Sequence, residues 1–409
     1  MSRQSTTDIP CRETTCATAG VSADSAYGSV SPPLHLSANY AFSDPLQKPA
    51  FDYARSGNPT RAQLEGALAD LEGAARGVIT ASGMAALDLV FCLVKPGELV
   101  LAPHDCYGGT HRLLTARAAR GHFDVAFVDQ SNPAELEAAF ARAPKLVLIE
   151  TPSNPLLRIT DITACVALAR KAGAITVADN TFLSPALQNP IELGVDVVVH
   201  STTKYINGHS DVVGGAVLAR DEELGEELAW WANCTGVTGA PFDSFLTLRG
   251  LRTLFPRIER QQTTAARVIE ALRADPRVAT IYYPGLESHP GHTIAKAQQK
   301  GFGAMFSAEF STDVDVVALL REMATFTVAE SLGGFESLVC VPAVMTHASM
   351  TPEARATAGI SDSLVRFSIG LEHEDDLVRD VFSALDKVTD AGASSARFKD
   401  VKEKIKACA

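Results

Sequence analysis

The 409-residue sequence lacks the features of several classes of protein. No run approaches the roughly eighteen apolar residues of a membrane-spanning helix, and the first twenty residues lack the apolar core of a signal peptide. Lys and Arg number 36 against 48 Asp and Glu, which argues against a nucleic-acid or anionic-membrane partner. The basic segment 397–406 alternates with acids, which favours a solvated helix over a binding arm. We therefore predict a cytoplasmic protein.

Metal and disulfide motifs are also missing. The eight cysteines are scattered, and the close pair Cys11 and Cys16 has no second pair nearby. The histidines lack the spacing of a zinc site, and Gly301-Phe302-Gly303 lacks the third glycine of a dinucleotide fingerprint. We predict no metal site and reduced thiols.

The sequence does contain a long alternation of apolar runs and helical stretches. Residues 1–60 are rich in Ser, Thr, Pro and Gly, which predicts an extended N-terminal arm. Strands alternate with helices through residues 61–255, which predicts an α/β domain with a mostly parallel central sheet. A helix over about 257–274 leads into a smaller C-terminal α+β domain, residues 256–409, whose runs suit an antiparallel sheet.

Two charged residues lie just beyond apolar runs. The run 174–178 stops at Asp179, and the run 195–199 is followed by His200, three hydroxyl residues and Lys204. In open α/β sheets, ligands bind at the carboxyl ends of the strands. Pyridoxal phosphate (PLP) requires a lysine for its aldehyde and an acid for its pyridinium nitrogen. Either residue alone fits a helix cap or a surface lysine better, but the pair with its flanking sequence favours a PLP site.

A second candidate feature is Ser82-Gly83-Met84, which follows an apolar run and opens a predicted helix. The N–H groups at a helix N-terminus bind anions, and glycine permits close approach of the backbone. Ser201 and Thr203 would add hydroxyl donors to the same phosphate. On its own, Ser-Gly at a helix start is more often a simple cap.

These segments resemble the motifs of the Cys/Met-metabolism family of PLP-dependent enzymes over nearly the whole chain. The likeness to the bacterial γ-synthase branch of that family is strongest in residues 102–107, 182–190 and 229–233. The resemblance implies the fold type I PLP-dependent transferase architecture. The matching family motifs are residues 52–61, 82–86, 104–109, 150–155, 178–215 and 329–334.

The resemblance also implies roles for individual residues. Lys204 and Tyr107 are expected to be catalytic, and the Tyr107 ring is expected to stack on the cofactor. Arg366, aided by Ser331, is expected to bind the substrate carboxylate, and Glu330 matches an acid of the γ-synthase and γ-lyase branches. The expected cofactor-binding residues are Tyr53, Arg55, Ser82, Gly83, Met84, Tyr107, Asn154, Asp179, Ser201, Thr203 and Lys204, and the expected substrate-binding residues are Arg112, Asn154, Glu330, Ser331 and Arg366.

Tyr53 and Arg55 match phosphate ligands that family members take from a neighbouring subunit. A guanidinium suits a phosphate because it offers two parallel hydrogen bonds. The resemblance therefore implies a homotetramer built from two dimers. A solvated turn at residues 55–59 explains the composition equally well.

The implied reaction is γ-replacement in methionine biosynthesis by transsulfuration. An O-acyl-L-homoserine, expected to be the O-succinyl ester, and L-cysteine would give L-cystathionine, and we assign Arg112 to the succinyl carboxylate as a hypothesis. A cystathionine γ-lyase, an O-acylhomoserine sulfhydrylase and a non-catalytic binding protein remain alternatives. Phe335 and the stretch 339–341 depart from the usual family pattern, so this loop is a candidate determinant of specificity.

Overall fold

The computed structural model describes residues 10–348, 355–356 and 358–389, and the predicted tail helix 397–406 lies outside them. The chain forms a seven-stranded sheet followed by a five-stranded sheet. The strands are β1 (Arg76–Thr80), β2 (Leu99–Pro103), β3 (Asp124–Val128), β4 (Leu146–Glu150), β5 (Ile175–Asp179), β6 (Val197–His200), β7 (Gly215–Ala219), β8 (Val278–Tyr282), β9 (Met305–Phe310), β10 (Thr327–Val328), β11 (Leu338–Cys340) and β12 (Leu364–Ser368).

Helices cover both sheets. Within the described ranges they are α1 (Arg12–Ala17), α2 (Pro59–Glu72), α3 (Gly83–Phe91), α4 (Gly108–Ala119), α5 (Pro133–Phe140), α6 (Ile162–Ala172), α7 (Ser184–Leu187), α8 (Glu222–Thr235), α9 (Pro241–Leu251), α10 (Leu254–Arg273), α11 (His292–Gln298), α12 (Val316–Glu322) and α13 (Glu374–Val388). The α2 helix begins at Pro59, because the Asn58 side chain caps it and proline fits its first turn.

The large sheet has the strand order β1-β7-β6-β5-β4-β2-β3 and is parallel except for β7. The chain returns from β6 to β7 through the loop 201–214 without a crossover helix, so β7 runs antiparallel to β6. That loop stays at the carboxyl end of β6. The strands are largely buried on both faces, as expected from their continuous apolar runs. The α/β prediction with a mostly parallel sheet is confirmed.

The small sheet has the order β10-β11-β12-β9-β8. It is antiparallel as expected, except that β10 and β11 pair in parallel. One face packs on α10, α12 and α13, and the rings of Phe306 and Phe367 stack there with centroids 4.7 Å apart. The division near residue 255 coincides with the start of α10 at Leu254, and the domain limits stay a prediction.

The N-terminal arm is mostly irregular. Beyond α1 it forms only local turns and bridges such as Asn39 with Tyr53 in the described part. Tyr27 and Leu46 expose 92% and 93% of their surfaces, which is unusual for large apolar side chains. In the described ranges, no helix is both long and apolar enough to cross a membrane. The cytoplasmic location stays a prediction.

Candidate active site

A cavity of about 420 Å³ opens between the carboxyl ends of the large sheet and the small domain. Its wall combines the start of α3, the ends of β4, β5 and β6, the loop before β7, and residues of the small sheet. Twelve of the predicted site residues line it: Ser82, Gly83, Met84, Tyr107, Asn154, Asp179, Ser201, Thr203, Lys204, Glu330, Ser331 and Arg366.

One corner of the cavity has the donors of an anion site. Gly83 begins α3, and a Cβ there would lie 2.7 Å from the Cβ of Ser201. Only glycine therefore lets the first turn of α3 touch the loop after β6, which brings the positive end of the helix beside two hydroxyl residues. Ser82 also caps the helix, since its Oγ accepts the Ala85 N–H at 3.1 Å. The capping and anion-binding interpretations are compatible.

Asp179 is the last residue of β5 and lines the cavity. Burial raises its pKa, while hydrogen bonds from Thr181 and the nearby His200 oppose that shift. The Thr181 N–H donates to Asp179 Oδ1 at 3.0 Å. Asp179 forms no ion pair within the described residues, so a partly buried carboxylate faces the cavity without an ion-pair partner. A pyridinium nitrogen would supply that charge.

Lys204 lies in the loop after β6, and its Nζ donates to Ser331 Oγ at 2.7 Å. Burial and then the positive charge of Arg366 lower the pKa of the Lys204 amine from 10.5 to about 8, although Glu330 acts in the opposite direction. A lysine with a lowered pKa supplies a neutral amine more readily, as a nucleophile or proton acceptor requires.

The Lys204 loop is held by a buried guanidinium. Arg257 of α10 donates to the carbonyl oxygens of Tyr205 at 2.9 Å and of Gly250 at 3.0 Å. A Cβ on Gly208 would lie 2.0 Å from Arg257 Nη1, so the loop wraps closely around this side chain. The two residues that follow Lys204 are therefore fixed by packing and hydrogen bonds.

Arg366 stands inside β12 and is only 3% exposed. Its Nη1 donates to Asn154 Oδ1 at 2.9 Å, and its Nη2 donates to the Ser331 carbonyl oxygen at 2.8 Å. None of the ion pairs among the described residues includes Arg366. A buried guanidinium on a cavity wall with only neutral partners suits a carboxylate ligand.

Tyr107 precedes α4 and reaches the cavity wall with 42% of its surface exposed. Its backbone N–H donates to Glu150 Oε2 at 2.9 Å. A Cβ on Gly109 would lie 2.5 Å from the Tyr107 ring, so this glycine leaves space for the ring. A half-exposed aromatic ring on a cavity wall can stack on a planar ligand.

Three predicted residues lie away from the cavity. Tyr53 is 50% exposed, and the Arg55 guanidinium lies 5.6 Å from its ring. Arg55 Nη1 instead donates to the carbonyl and side-chain oxygens of Asn233 at 2.6 and 2.7 Å. Arg112 is exposed on α4. It follows Tyr107 by five residues, and five residues of α-helix rotate the direction of a side chain by about 140°.

The cavity also contains residues to which the sequence analysis assigned no role. Glu150, Thr181 and Thr346 all line it. Glu150 is the last residue of β4, so the rule that selected Asp179 at a strand end would also have selected it. Thr346 follows β11 by several residues and had no such signal.

The chain's own residues fit PLP. A lysine with a lowered pKa, a partly buried carboxylate that forms no ion pair in the described residues, and a helix N-terminus lie around one cavity at the edge of a mostly parallel sheet. This is the arrangement of fold type I PLP-dependent enzymes. The family model for Cys/Met metabolism PLP-dependent enzymes matches residues 13–386. The chain belongs to this family, and it is a PLP-dependent enzyme.

Similar proteins span almost the whole chain. Cystathionine gamma-synthase of Escherichia coli is 54% identical over 88% of this chain and 94% of its own length. Cystathionine gamma-lyase of Bacillus subtilis is 44% identical over 90% and 97%. The structure of cystathionine gamma synthase from Xanthomonas oryzae in complex with cystathionine is 55% identical, with a TM-score of 0.92 and coverage of 93% of this chain and 99% of that chain.

Proposed function

We propose that this enzyme catalyses γ-replacement, in which an O-acyl-L-homoserine and L-cysteine give L-cystathionine for methionine biosynthesis by transsulfuration. The O-succinyl ester is the proposed acyl substrate. The observation that carries the proposal is the identity of 54% to a cystathionine gamma-synthase, against 44% to a gamma-lyase, over similar shares of the chain.

The part of the cavity formed by the large sheet is proposed to hold PLP through three polar groups of the cofactor: its ring nitrogen, its phosphate and its phenolic oxygen. PLP, when bound, supplies an electron sink for the bond electrons left at the substrate α-carbon. Asp179 would keep the cofactor nitrogen protonated, and the α3 N-terminus with Ser201 and Thr203 would bind its phosphate. Tyr107 would cover one face of the ring, and Asn154 would lie near the ring's phenolic oxygen.

Lys204 is the proposed proton carrier. Its lowered pKa lets the free Nζ accept a proton from the substrate α-carbon and, once it has given that proton up and is neutral again, accept one from the β-carbon. The acyl group then leaves as a carboxylate, and the cysteine thiolate bonds to the γ-carbon in its place. The Lys204 amine returns protons to the β-carbon and the α-carbon of the substrate. The Ser331 hydroxyl at 2.7 Å holds the amine on the cavity side of its loop.

The substrate half is proposed to bind the amino acid through its α-carboxylate. Arg366 and Ser331 would receive this group, and Glu330 would lie beside the Lys204 amine. The pairing of Arg112 with a succinyl carboxylate stays a prediction. It would require the acyl chain to extend beyond the cavity wall, because Arg112 is exposed on α4.

The active site is further proposed to be shared between subunits of a homotetramer, arranged as a dimer of dimers. Tyr53 and Arg55 lie away from the cavity of their own chain, which supports a role in a neighbouring one. Exposed apolar side chains on the same arm, such as Tyr27 and Leu46, would be buried by such contacts.

A cystathionine γ-lyase is the main alternative, since relatives of that activity are 44% identical to the chain. Direct sulfhydrylation of an O-acylhomoserine is a further alternative. The decisive assay offers O-succinyl-L-homoserine, O-acetyl-L-homoserine and L-cystathionine separately, with and without cysteine or sulfide. Cystathionine formed from cysteine supports the synthase. Release of cysteine and 2-oxobutanoate from cystathionine at a higher kcat/KM would overturn it in favour of the lyase.

A further inference from the structure

Glu150 occupies a position that the proposed mechanism does not use. It ends β4 directly beside Asp179 of β5, with which it is in register. Neighbouring strands lie about 4.8 Å apart, and residues in register project from the same face of a sheet. Both residues line the cavity, and Glu150 is only 7% exposed. Two acidic side chains therefore meet at one buried edge.

The Glu150 carboxyl group also joins two loops of the cavity. Its Oε2 accepts the Tyr107 backbone N–H at 2.9 Å. The nearby Asn154 backbone N–H lowers the pKa of the same carboxyl group, and the Asn154 Oδ1 accepts a hydrogen bond from Arg366 Nη1. One side chain thus fixes the backbone before α4 and the backbone after β4.

Two neighbouring buried carboxyl groups cannot both ionise without a large cost. Burial, and then the negative charge of Asp179 and that of Asp105, raise the pKa of Glu150 well above its usual range, although the Tyr107 and Asn154 N–H groups oppose the shift. Asp179 has Thr181 donors and His200 nearby to favour its ionised form. The buried Cys106 thiol, whose pKa is raised by burial, adds no charge beside them. These contacts favour Asp179 as the ionised member of the pair.

We propose that Glu150 is a positioning residue that works as a neutral carboxylic acid. It holds the Tyr107 and Asn154 backbones on the cavity wall and leaves Asp179 as the single anion facing the cofactor nitrogen. An ionised Glu150 would compete with Asp179 for the protonated cofactor nitrogen. The repulsion between the two carboxylates would also favour protonation of one of them. The proposal rests on the roles proposed above for Tyr107 and Asp179.

The test compares Glu150→Gln with Glu150→Val. Glutamine has the shape of a neutral glutamic acid and keeps a carbonyl oxygen for both N–H groups. Valine fits a strand but accepts no hydrogen bond. PLP binding to the apoprotein is measured by equilibrium titration, and the absorption band of the bound cofactor is followed against pH.

We expect Glu150→Gln to bind PLP within about twofold of the unaltered protein and to give the same pH titration of the band. Glu150→Val should weaken PLP binding about tenfold or more, as expected when the Tyr107 N–H loses its acceptor and the backbone before α4 is released, and should lower kcat more than it raises KM. Loss of binding in Glu150→Gln equal to that in Glu150→Val would overturn the neutral acid. Unchanged binding in Glu150→Val would overturn the positioning role.

The melting temperature of each apoprotein separates these effects from unfolding. If Glu150→Val does not fold, Glu150→Gln still decides the protonation state, because a shifted absorption titration in that variant contradicts a neutral Glu150. PLP binding does not depend on which amino acid the enzyme uses. Failure of the γ-replacement proposal would therefore leave this test unaffected.

Discussion

The two sheets contribute to the candidate active site in different ways. The large sheet presents residues at the carboxyl ends of its strands, as with Asp179 after β5 and Lys204 in the loop after β6. The small sheet presents Arg366 from the middle of β12, opposite Cys340 of β11, and Ser331 from the loop after β10. The large sheet therefore contributes residues at the ends of its strands. The small sheet contributes Arg366 from the face that is turned to the cavity.

This difference separates two kinds of chemistry. Residues from the large sheet surround the space proposed for the cofactor, whereas the proposed carboxylate-binding group comes from the small sheet. The two meet at the Lys204–Ser331 hydrogen bond and in the effect of Arg366 on the Lys204 pKa. Variants of large-sheet residues should therefore affect mainly PLP binding, and variants of small-sheet residues should affect mainly KM for the amino-acid substrate.

The largest effect should follow Lys204→Ala. Lys204 is the one lysine among the described residues that line the cavity. Without its amine the cofactor aldehyde loses its attachment and the α-proton loses its proposed acceptor, so turnover should fall by about a thousandfold or more. The measurement is steady-state kcat, with borohydride fixation of the cofactor as a second readout. The apoprotein should remain folded, since removing a buried amine relieves desolvation. Turnover within tenfold of the unaltered enzyme, or label fixed on another residue, would contradict the assignment.

Arg366→Met tests whether the small sheet acts on substrate alone. Methionine fills a similar volume without charge, so the α-carboxylate loses its partner, and KM for the amino acid should rise about a hundredfold. PLP affinity should change little. Asp179→Ala is the matched variant of the large sheet, and it should weaken PLP binding strongly. The comparison fails if Arg366→Met releases the cofactor as readily as Asp179→Ala does.

Arg55→Ala tests whether a third region, the N-terminal arm, completes the cofactor site from another subunit. Loss of one bidentate phosphate contact should weaken PLP binding about tenfold, and equilibrium titration measures it. Mixing unfolded Arg55→Ala and Lys204→Ala chains and refolding them together should restore part of the activity, because one site in the mixed oligomer receives both intact groups. Absence of any restoration in oligomers shown to be mixed would place Arg55 in a structural role at Asn233.

The same contrast explains what could be predicted from the sequence. Strand ends are visible as the points where buried apolar runs stop, and Asp179 was found in this way. The anion site at Gly83 was visible because helix starts have their own signals. The antiparallel return of β7 could be rationalised only with the structure, whereas Asn58 and Pro59 are sequence signals for the start of α2.

Other parts of the site depend on three-dimensional packing. The family resemblance names Arg366 together with Ser331, but the hydrogen bonds of Arg366 to Asn154 Oδ1 and to the Ser331 carbonyl oxygen are seen only in the structure. Arg112 follows Tyr107 by only five residues, but the helical rotation over those residues turns the Arg112 side chain outward. Glu150 ends a strand as Asp179 does, but its place beside Asp179 depends on the register of β4 with β5, which the sequence does not show.

The smallest predicted effect concerns the electrostatic link between the two sheets. The folded pKa of Lys204, about 8, lies below its ordinary 10.5, so the unfolded apoprotein binds more protons between these values and stability should rise with pH across that window. The Lys204 contribution is present above about pH 10.5 and lost as the pH falls toward 8. It is measured as the difference in the pH dependence of the melting temperature between the apoprotein and Lys204→Met.

Arg366→Met should narrow the pH range over which Lys204 affects stability, because it should raise the lower limit of that range, the folded pKa of Lys204. Removing the guanidinium charge leaves burial as the main cause of the low pKa, so the folded pKa of Lys204 should rise from about 8 toward 10.5. Arg260→Met is the matched control, because Arg260 also lies in the small-sheet half but pairs with Glu374 away from the cavity. An equal shift in both variants would mean that net charge acts on Lys204 at long range. A shift confined to Arg366→Met would show that the small sheet sets the basicity of an amine carried by the large one.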